Sequence, residues 1–126
     1  NALIINSFSI STDSSGKTHV AYGDMTSGDL KYAVKENNSW TTSVVEINSF
    51  STWHQGLLYP SMEVDSNGAV HIVYFDAGNK AFNYAKLEPN NASFLLLNNL
   101  TVEAFTDLTK YGAPSDKVPE IRLAGS

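Results

Sequence analysis

The sequence contains no cysteine, only one arginine and no long apolar run, and each absence excludes a class of protein. Without cysteine the chain has no disulfide, thiolate metal site or cysteine nucleophile. One arginine among eight basic residues, at a net charge of −5, leaves no basic patch for a phosphate backbone, so we expect no nucleic-acid partner. No segment approaches the ~18 apolar residues of a membrane span, so we expect no membrane association. The compartment stays open, and we consider secretion or the cell surface.

Length and composition favour one folded unit. The chain has 126 residues and is 42% hydrophobic, which is ordinary for a globular domain with a single core. We therefore treat residues 1–126 as one domain.

A constant spacing of 52 residues runs through the first hundred positions. Each copy has a turn of the form Asp-Ser-x-Gly, then a strand through His and Tyr to Asp, and later a strand that ends in Tyr-Ala. The matching pairs are Asp13 and Asp65, Gly16 and Gly68, His19 and His71, Tyr22 and Tyr74, Asp24 and Asp76, Tyr32 and Tyr84, and Ala33 and Ala85. A fixed period of this size is typical of repeat architectures.

Period-2 alternation and turn residues predict four strands in each copy and no helix. The predicted strands are 8–12, 18–24, 30–35 and 40–47 in the first copy, and 61–64, 69–76, 82–87 and 94–104 in the second. We expect Trp40 and Phe94, which begin the outer strands, to be core residues. Four-stranded meanders that bury both faces are typical of propeller blades. The predicted fold is all-β: a β-propeller segment with two four-stranded antiparallel blades (about 8–47 and 60–104) and the first strand of a third (about 118–124).

The segment DSNGAVHIVYFDAGNKAFNYAK, residues 65–86, resembles the repeat of bacterial propellers of the sialidase-like superfamily, which is related to the BNR repeat and the Asp-box. The resemblance covers residues 8 to about 104. It implies an architecture rather than an activity, because that superfamily includes glycosidases, lyases, lectin-like binders and structural repeats. Since propellers close with about 4 to 8 blades, we expect either a homo-oligomer, with three copies as the simplest ring, or the remainder of a longer propeller chain.

The sequence gives little support for a catalytic or metal-binding site. A sialidase site of this superfamily needs three arginines to hold its substrate's carboxylate, and the chain has only Arg122. His19 and His71 occupy one repeat position, which favours a packing role over metal binding. We therefore predict no catalytic residue, no metal and no cofactor.

The rim between the second and third strands carries the residues that favour binding. Asp24, Asp29 and Asp76 flank these turns, as turn formers or, less favoured, as acid/base carboxylates. The link between the blades contains Trp53, His54 and Tyr59, which offer an aromatic plate and polar partners of the kind a sugar ring prefers. Trp53 as a plug between the blades is the alternative.

We therefore predict a non-enzymatic module that binds a glycan or a protein through its rim. The alternatives are an excerpt of a sialidase-like glycoside hydrolase or lyase propeller, and a purely structural oligomerising repeat.

Overall fold

The computed structural model describes residues 5–101, which form two four-stranded antiparallel sheets. The first sheet has the order β1-β2-β3-β4 and the second β5-β6-β7-β8. The strands are β1 (Ile5–Thr12), β2 (Thr18–Asp24), β3 (Leu30–Glu36), β4 (Ser39–Glu46), β5 (Leu57–Val64), β6 (Val70–Asp76), β7 (Ala81–Leu87) and β8 (Leu95–Leu100).

The expectation of an all-β chain is confirmed. Residues 5–101 form two sheets and no closed propeller, so membership of a propeller stays a prediction. The predicted opening strand at about 118–124 and the end of the predicted strand 94–104 lie outside the described residues. Within residues 5–101, no helix is long and apolar enough to cross a membrane.

The first strand of each sheet begins earlier than the sequence predicted. Pairing between β1 and β2 shifts register between Ile5 and Phe8, and pairing between β5 and β6 shifts between Leu58 and Ser61. In the second sheet the irregularity includes Tyr59, whose φ is +54°, and Pro60, which has no N–H to donate. The period-2 alternation of apolar and polar residues holds only where the strand pairing is regular. The pattern is therefore interrupted at such a bulge, although the strand itself extends beyond it.

The turn that opens each hairpin is built by an aspartate. The Asp13 Oδ1 atom accepts hydrogen bonds from the backbone N–H groups of Ser15 at 2.9 Å and Lys17 at 3.0 Å. Gly16 adopts φ = +90°, which glycine reaches without a Cβ clash. Asp65 accepts the equivalent bonds in the second sheet, so both hairpins use the same turn chemistry.

The two sheets approach each other most closely where β5 lies against β1 and β2. The side chains there are small: the Ser7 Oγ atom accepts a hydrogen bond from the Tyr59 N–H at 2.8 Å, and a Cβ on Gly23 would lie 3.0 Å from the Leu57 carbonyl oxygen. Farther out, the rings of Tyr32 and Phe94 meet edge to face at 5.4 Å. The sheets therefore form a wedge that is narrow at β1 and β5 and filled by larger side chains toward β4 and β8.

The core lies between the sheets and continues into the second one. Its buried members are Ala21, Leu30, Tyr32, Val45, Leu57, Met62, Val70, Ile72, Tyr74 and Ala85. Burying one such large aliphatic side chain contributes about 1.5–3 kcal/mol relative to leaving it in water. His71 and Val73, on the opposite face of β6, are also fully buried, so both faces of this strand are covered as predicted.

The outward face of the first sheet carries exposed apolar side chains. Ser9 and Val45 point toward the second sheet, so Phe8, Ile10 and Val44 beside them point away from it. Glu46, which follows the register shift at Val45, points toward the second sheet again. Trp40 is 51% exposed, and the expectation that it is a core residue is therefore wrong. Phe94 is partly buried against the core, as expected. Trp40 lies on the face opposite Val34 and Tyr32, and no sheet packs on that face among the described residues.

Candidate functional site

The link between the sheets is held over the first sheet by one asparagine. The Asn48 N–H donates to Asp29 Oδ1 at 2.8 Å, and the Asn48 Nδ2 donates to the carbonyl oxygens of Ser27 and Thr52, each at 3.1 Å. The Asn48 Oδ1 accepts from the Phe50 N–H at 3.1 Å. This side chain therefore fixes both ends of the loop that presents Trp53.

Close glycine contacts tie the link to the turns of both sheets. The carbonyl oxygen of Gly28, whose φ is +82°, accepts a hydrogen bond from the Leu57 N–H at 2.8 Å, and the Gly56 carbonyl oxygen accepts one from the Ala77 N–H at 2.9 Å. A Cβ on Gly56 would lie 2.8 Å from the Gly28 Cα, and one on Gly78 would lie 2.2 Å from the Phe50 ring. The rim is therefore a packed surface in which the link bridges the β2–β3 and β6–β7 turns.

Trp53 and His54 lie together at the top of this link. They belong to a 3-10 turn, Trp53–Gln55, and their rings stack at 3.9 Å between centroids with 28° between the planes. His54 is exposed and Trp53 is half-buried. Among the described residues neither side chain makes a hydrogen bond, so their polar atoms face solvent rather than a structural partner. Tyr59 is 53% exposed, but it lies on β5, and its only hydrogen bond shown with the first sheet is through its backbone.

Asp24 serves its own turn. It is buried, its Oδ1 accepts from the Thr26 N–H and hydroxyl, and its Oδ2 lies 2.6 Å from the Lys31 Nζ. Burial by itself raises the pKa of the Asp24 carboxyl, but the hydrogen bonds from Lys31 and Thr26 outweigh it and lower that pKa to about 2. Asp24 is therefore an ionised carboxylate with an internal counter-ion.

The other two predicted aspartates are also held by loop groups. Asp29 Oδ1 accepts the Asn48 N–H, and the buried Asp76 accepts from the Asn79 N–H at 3.1 Å and the Asn79 Nδ2 at 2.8 Å. The structure therefore gives all three predicted aspartates a role in shaping the rim turns. It brings none of them into a described hydrogen bond with Trp53, His54 or Tyr59.

A half-buried carboxylate that sequence reasoning missed lies where β4 meets the second sheet. Glu46 accepts hydrogen bonds from Tyr74 Oη at 2.5 Å, Asn98 Nδ2 at 3.2 Å and Asn83 Nδ2 at 3.4 Å. Burial raises the pKa of the Glu46 carboxyl, the nearby Asp76 raises it further, and the three hydrogen bonds partly offset the shift. Glu46 has no acidic counterpart 52 residues later, where Asn98 stands, so the repeat pattern gave no signal for it.

The opposite edge of the sheets holds the duplicated histidines. His19 Nε2 lies 2.7 Å from Asp13 Oδ2, and His19 Nδ1 lies 2.6 Å from Tyr32 Oη. A carboxylate only accepts, so Nε2 carries the proton and Nδ1 accepts from the tyrosine hydroxyl. The equivalent distances in the second sheet are 2.9 Å from His71 to Asp65 and 2.6 Å from His71 to Tyr84. Both ring nitrogens of each histidine are therefore engaged, which leaves no lone pair for a metal ion.

The hydrogen bonds around His19, together with burial, determine the ionisation of Asp13 and Tyr32. For Asp13, burial raises the pKa of the carboxyl, but hydrogen bonds from His19, Ser15 and Lys17 outweigh it and hold that pKa well below the usual range. Burial, assisted by the charge on Asp13, raises the pKa of Tyr32 to about 12. At neutral pH the aspartate is therefore charged and the tyrosine hydroxyl is protonated, as the tautomer assignment requires.

A cleft of about 410 Å³ opens between the two sheets at this edge. Its walls include the Asp13 and Asn67 turns, and His19 and Tyr32 contribute to its lining. Its position is opposite to the rim that the sequence singled out. Within residues 5–101 no three His, Asp or Glu side chains are placed to hold a metal ion.

The fold and these contacts define an all-β protein with two antiparallel four-stranded sheets joined by an ordered aromatic link. Comparison with protein-family models, with curated proteins and with solved structures gives no match to this chain.

Proposed function

We propose that this chain is a segment of a β-propeller and that it binds a ligand, with a glycan as the favoured class, through the rim link without catalysing a reaction. The observation that carries the proposal is the stacked Trp53–His54 pair. The loop that presents this pair is held by hydrogen bonds from Asn48 to its backbone, and these bonds do not involve the Trp53 or His54 side chains. An aromatic face beside exposed polar groups matches a sugar ring, which has apolar faces and hydroxyl edges.

The propeller part is supported by the wedge between the sheets. Small residues such as Gly23 and Ser7 allow close approach near β1 and β5, and the large rings of Tyr32 and Phe94 fill the space farther out. Blades arranged around an axis require this radial gradient of side-chain size, since they converge at their inner strands. The sialidase-like resemblance favours the same architecture.

The preorganisation of the link supports a binding role. Asn48 and the Gly28–Gly56 contact fix the loop before any ligand arrives, so little conformational entropy is lost on binding. A glycosidase or lyase site at Asp24, Asp29 and Asp76 has less support, because each carboxylate is engaged within its own turn.

Two matched tryptophan variants test the proposal. Trp40→Phe leaves Trp53 as the only tryptophan, and Trp53→Phe leaves Trp40, so fluorescence reports each site separately. We expect hits from a glycan array to change the emission of Trp40→Phe and not that of Trp53→Phe.

Trp53→Ala then separates binding from packing. Loss of the stacking plate should weaken the same glycans by about 1–3 kcal/mol, with a melting temperature within a few degrees of the parent. A stability loss of about 3–5 kcal/mol, with no glycan binding by the parent, would instead identify Trp53 as a plug. Binding to a protein bait with no glycan hit would replace the glycan by a protein ligand.

A further inference from the structure

We propose that β4 pairs with β4 of a second copy of this chain, antiparallel and about a two-fold axis at Thr42, so that two first sheets join edge to edge into one continuous sheet. This inference goes beyond the rim site. It needs only the register and the exposure of β4, whatever ligand the rim binds.

The outer side of β4 is open. In the first sheet this strand pairs with β3 alone, and within residues 5–101 no backbone hydrogen bond joins it to any other segment. Each of the six residues 39–44 is exposed. This length of strand is therefore free to receive a partner.

The hairpin between β3 and β4 determines which backbone groups point to the open side. Its two loop residues, Asn37 and Asn38, have φ of +54° and +64°, the left-handed values of a two-residue type I′ turn. The flanking residues Glu36 and Ser39 lie opposite each other, and in such a turn they form a hydrogen-bonded pair. Ser39 therefore directs its N–H and C=O groups toward β3.

The open side presents three residues in a regular pattern. Hydrogen-bonded pairs alternate along an antiparallel ladder, so Thr41 and Ser43 also direct their backbone groups toward β3. The N–H and C=O groups of Trp40, Thr42 and Val44 therefore point outward. An antiparallel copy centred on Thr42 meets all three, with Thr42 opposite its own equivalent and Trp40 opposite Val44 of the partner subunit. This pairing supplies about six hydrogen bonds, two for each hydrogen-bonded pair.

The side chains favour the same register. Trp40 and Val44 lie on the outward face of the sheet and are 51% and 47% exposed. In the dimer each Trp40 packs beside Val44 of the partner subunit, once on either side of the axis. Aromatic and β-branched side chains are favourable neighbours across strands. One register therefore pairs the free backbone groups and covers both exposed apolar side chains, which favours a second copy over an unrelated peptide.

The edge also lacks the features by which sheet edges avoid such pairing. Residues 39–45, SWTTSVV, contain no lysine, no proline and no acidic side chain. The charged residue of β4 is Glu46, and this register places it opposite Asn38 of the partner subunit, so no like charges meet. The outer strand of the second sheet is less open, because several residues of β8 are partly buried and Asn98 is bonded to Glu46.

The first experiment measures mass and register together. Sedimentation of the full chain from about 1 to 200 μM should show a monomer–dimer equilibrium, a weak one because one strand pair buries less than a standard interface. Thr42→Lys and Thr42→Glu each place like charges opposite each other, so each variant alone should stay monomeric. An equimolar mixture of the two should restore the dimer, because the new side chains then attract each other across the axis.

Leu95→Lys is the matched control. Leu95 is 61% exposed and lies on β8, the outer strand of the other sheet, so this variant should dimerise like the parent. Circular dichroism checks that all variants are folded. A parent that stays monomeric throughout the concentration range would overturn the interface, and a monomeric mixture of folded Thr42 variants would overturn the two-fold register.

The second experiment does not depend on added charge. The chain has no cysteine, so Thr42→Cys carries a single thiol. Opposite residues of a hydrogen-bonded pair have Cα atoms about 5.5 Å apart, a separation that a disulfide spans. With oxidised glutathione, Thr42→Cys should form a disulfide-linked dimer much faster than Leu95→Cys, and equal rates would overturn the register. A monomeric parent that still binds glycans through Trp53 would leave the proposed function standing, and a dimer without glycan binding would leave this interface standing.

Discussion

Replacing His19 by alanine tests whether the duplicated histidines are structural. The substitution removes two hydrogen bonds, at 2.7 Å to Asp13 and 2.6 Å to Tyr32, from a side chain that is almost completely buried. The Tyr32 hydroxyl loses its acceptor, which costs about 1–3 kcal/mol when no water replaces it. The adjoining cleft is lined by both residues and is large enough to admit water, so we expect a cost near the lower end of that range.

His71→Ala is the matched comparison, because its distances are nearly the same and its exposure is 0%. A fully buried ring leaves a cavity when it is removed, so we expect about 3–5 kcal/mol here. Urea unfolding of both variants, followed by tryptophan fluorescence, measures the two free energies of unfolding.

A double-mutant cycle between His19→Ala and Tyr32→Phe isolates the hydrogen bond. Tyr32→Phe should cost less in the alanine background than in the parent, with a coupling energy of about 0.5–3 kcal/mol. Zero coupling, or a larger loss for His19→Ala than for His71→Ala, would refute the reasoning. A stoichiometric zinc site lost in either variant would overturn the structural role itself.

Three further predictions concern the turns and carboxylates. Gly28→Ala should destabilise the fold more than Gly16→Ala in thermal melts, because both have positive φ but only a Cβ on Gly28 meets neighbouring atoms, 2.4 Å from Asn48 Nδ2. The pKa of Asp24 is depressed to about 2, so its contribution to the free energy of unfolding is present above the unfolded pKa of about 4 and is lost as the pH falls toward 2. When the free energy of unfolding is measured between these pH values, Asp24→Asn should therefore show a smaller decrease than the parent. Glu46 has a raised pKa, so its ionisation lowers stability as the pH rises, and Glu46→Gln should raise the melting temperature at pH 7 and change it less at pH 4.

The sequence predicted the sheets well because their information is local. Alternation and the Asp-Ser-x-Gly turns predicted the observed bounds of β2, and those of β6 to within one residue. This succeeded because the aspartate of each turn accepts hydrogen bonds from backbone N–H groups no more than four residues farther along the chain. The bulges before Phe8 and Ser61 were missed because alternation has no signal for an extra residue.

The site was predicted less completely because its contacts are long-range. Asn48 meets Ser27 across 21 positions, and Glu46 meets Tyr74 across 28, and neither pair has a local pattern. Trp53, His54 and the three rim aspartates were singled out from residue type and from their predicted positions in the link and the turns, without any knowledge of their contacts. Residue type predicted that Asp24 and Asp76 shape turns, but the stacking of Trp53 on His54 depends on a 3-10 turn that no alternation pattern predicts.

Duplication separates the residues that shape the sheets from those that can recognise a ligand. A side chain that closes a hairpin is needed in each sheet, and Asp13, His19 and Tyr32 accordingly recur 52 positions later with the same contacts. Trp53 corresponds at that spacing to Phe105, so an aromatic residue recurs, whereas His54 corresponds to Thr106 and does not. Packing alone would account for an aromatic residue at both positions. It does not account for the exposed imidazole stacked on Trp53, so under the proposed function His54 is the rim side chain that we expect to contact the ligand.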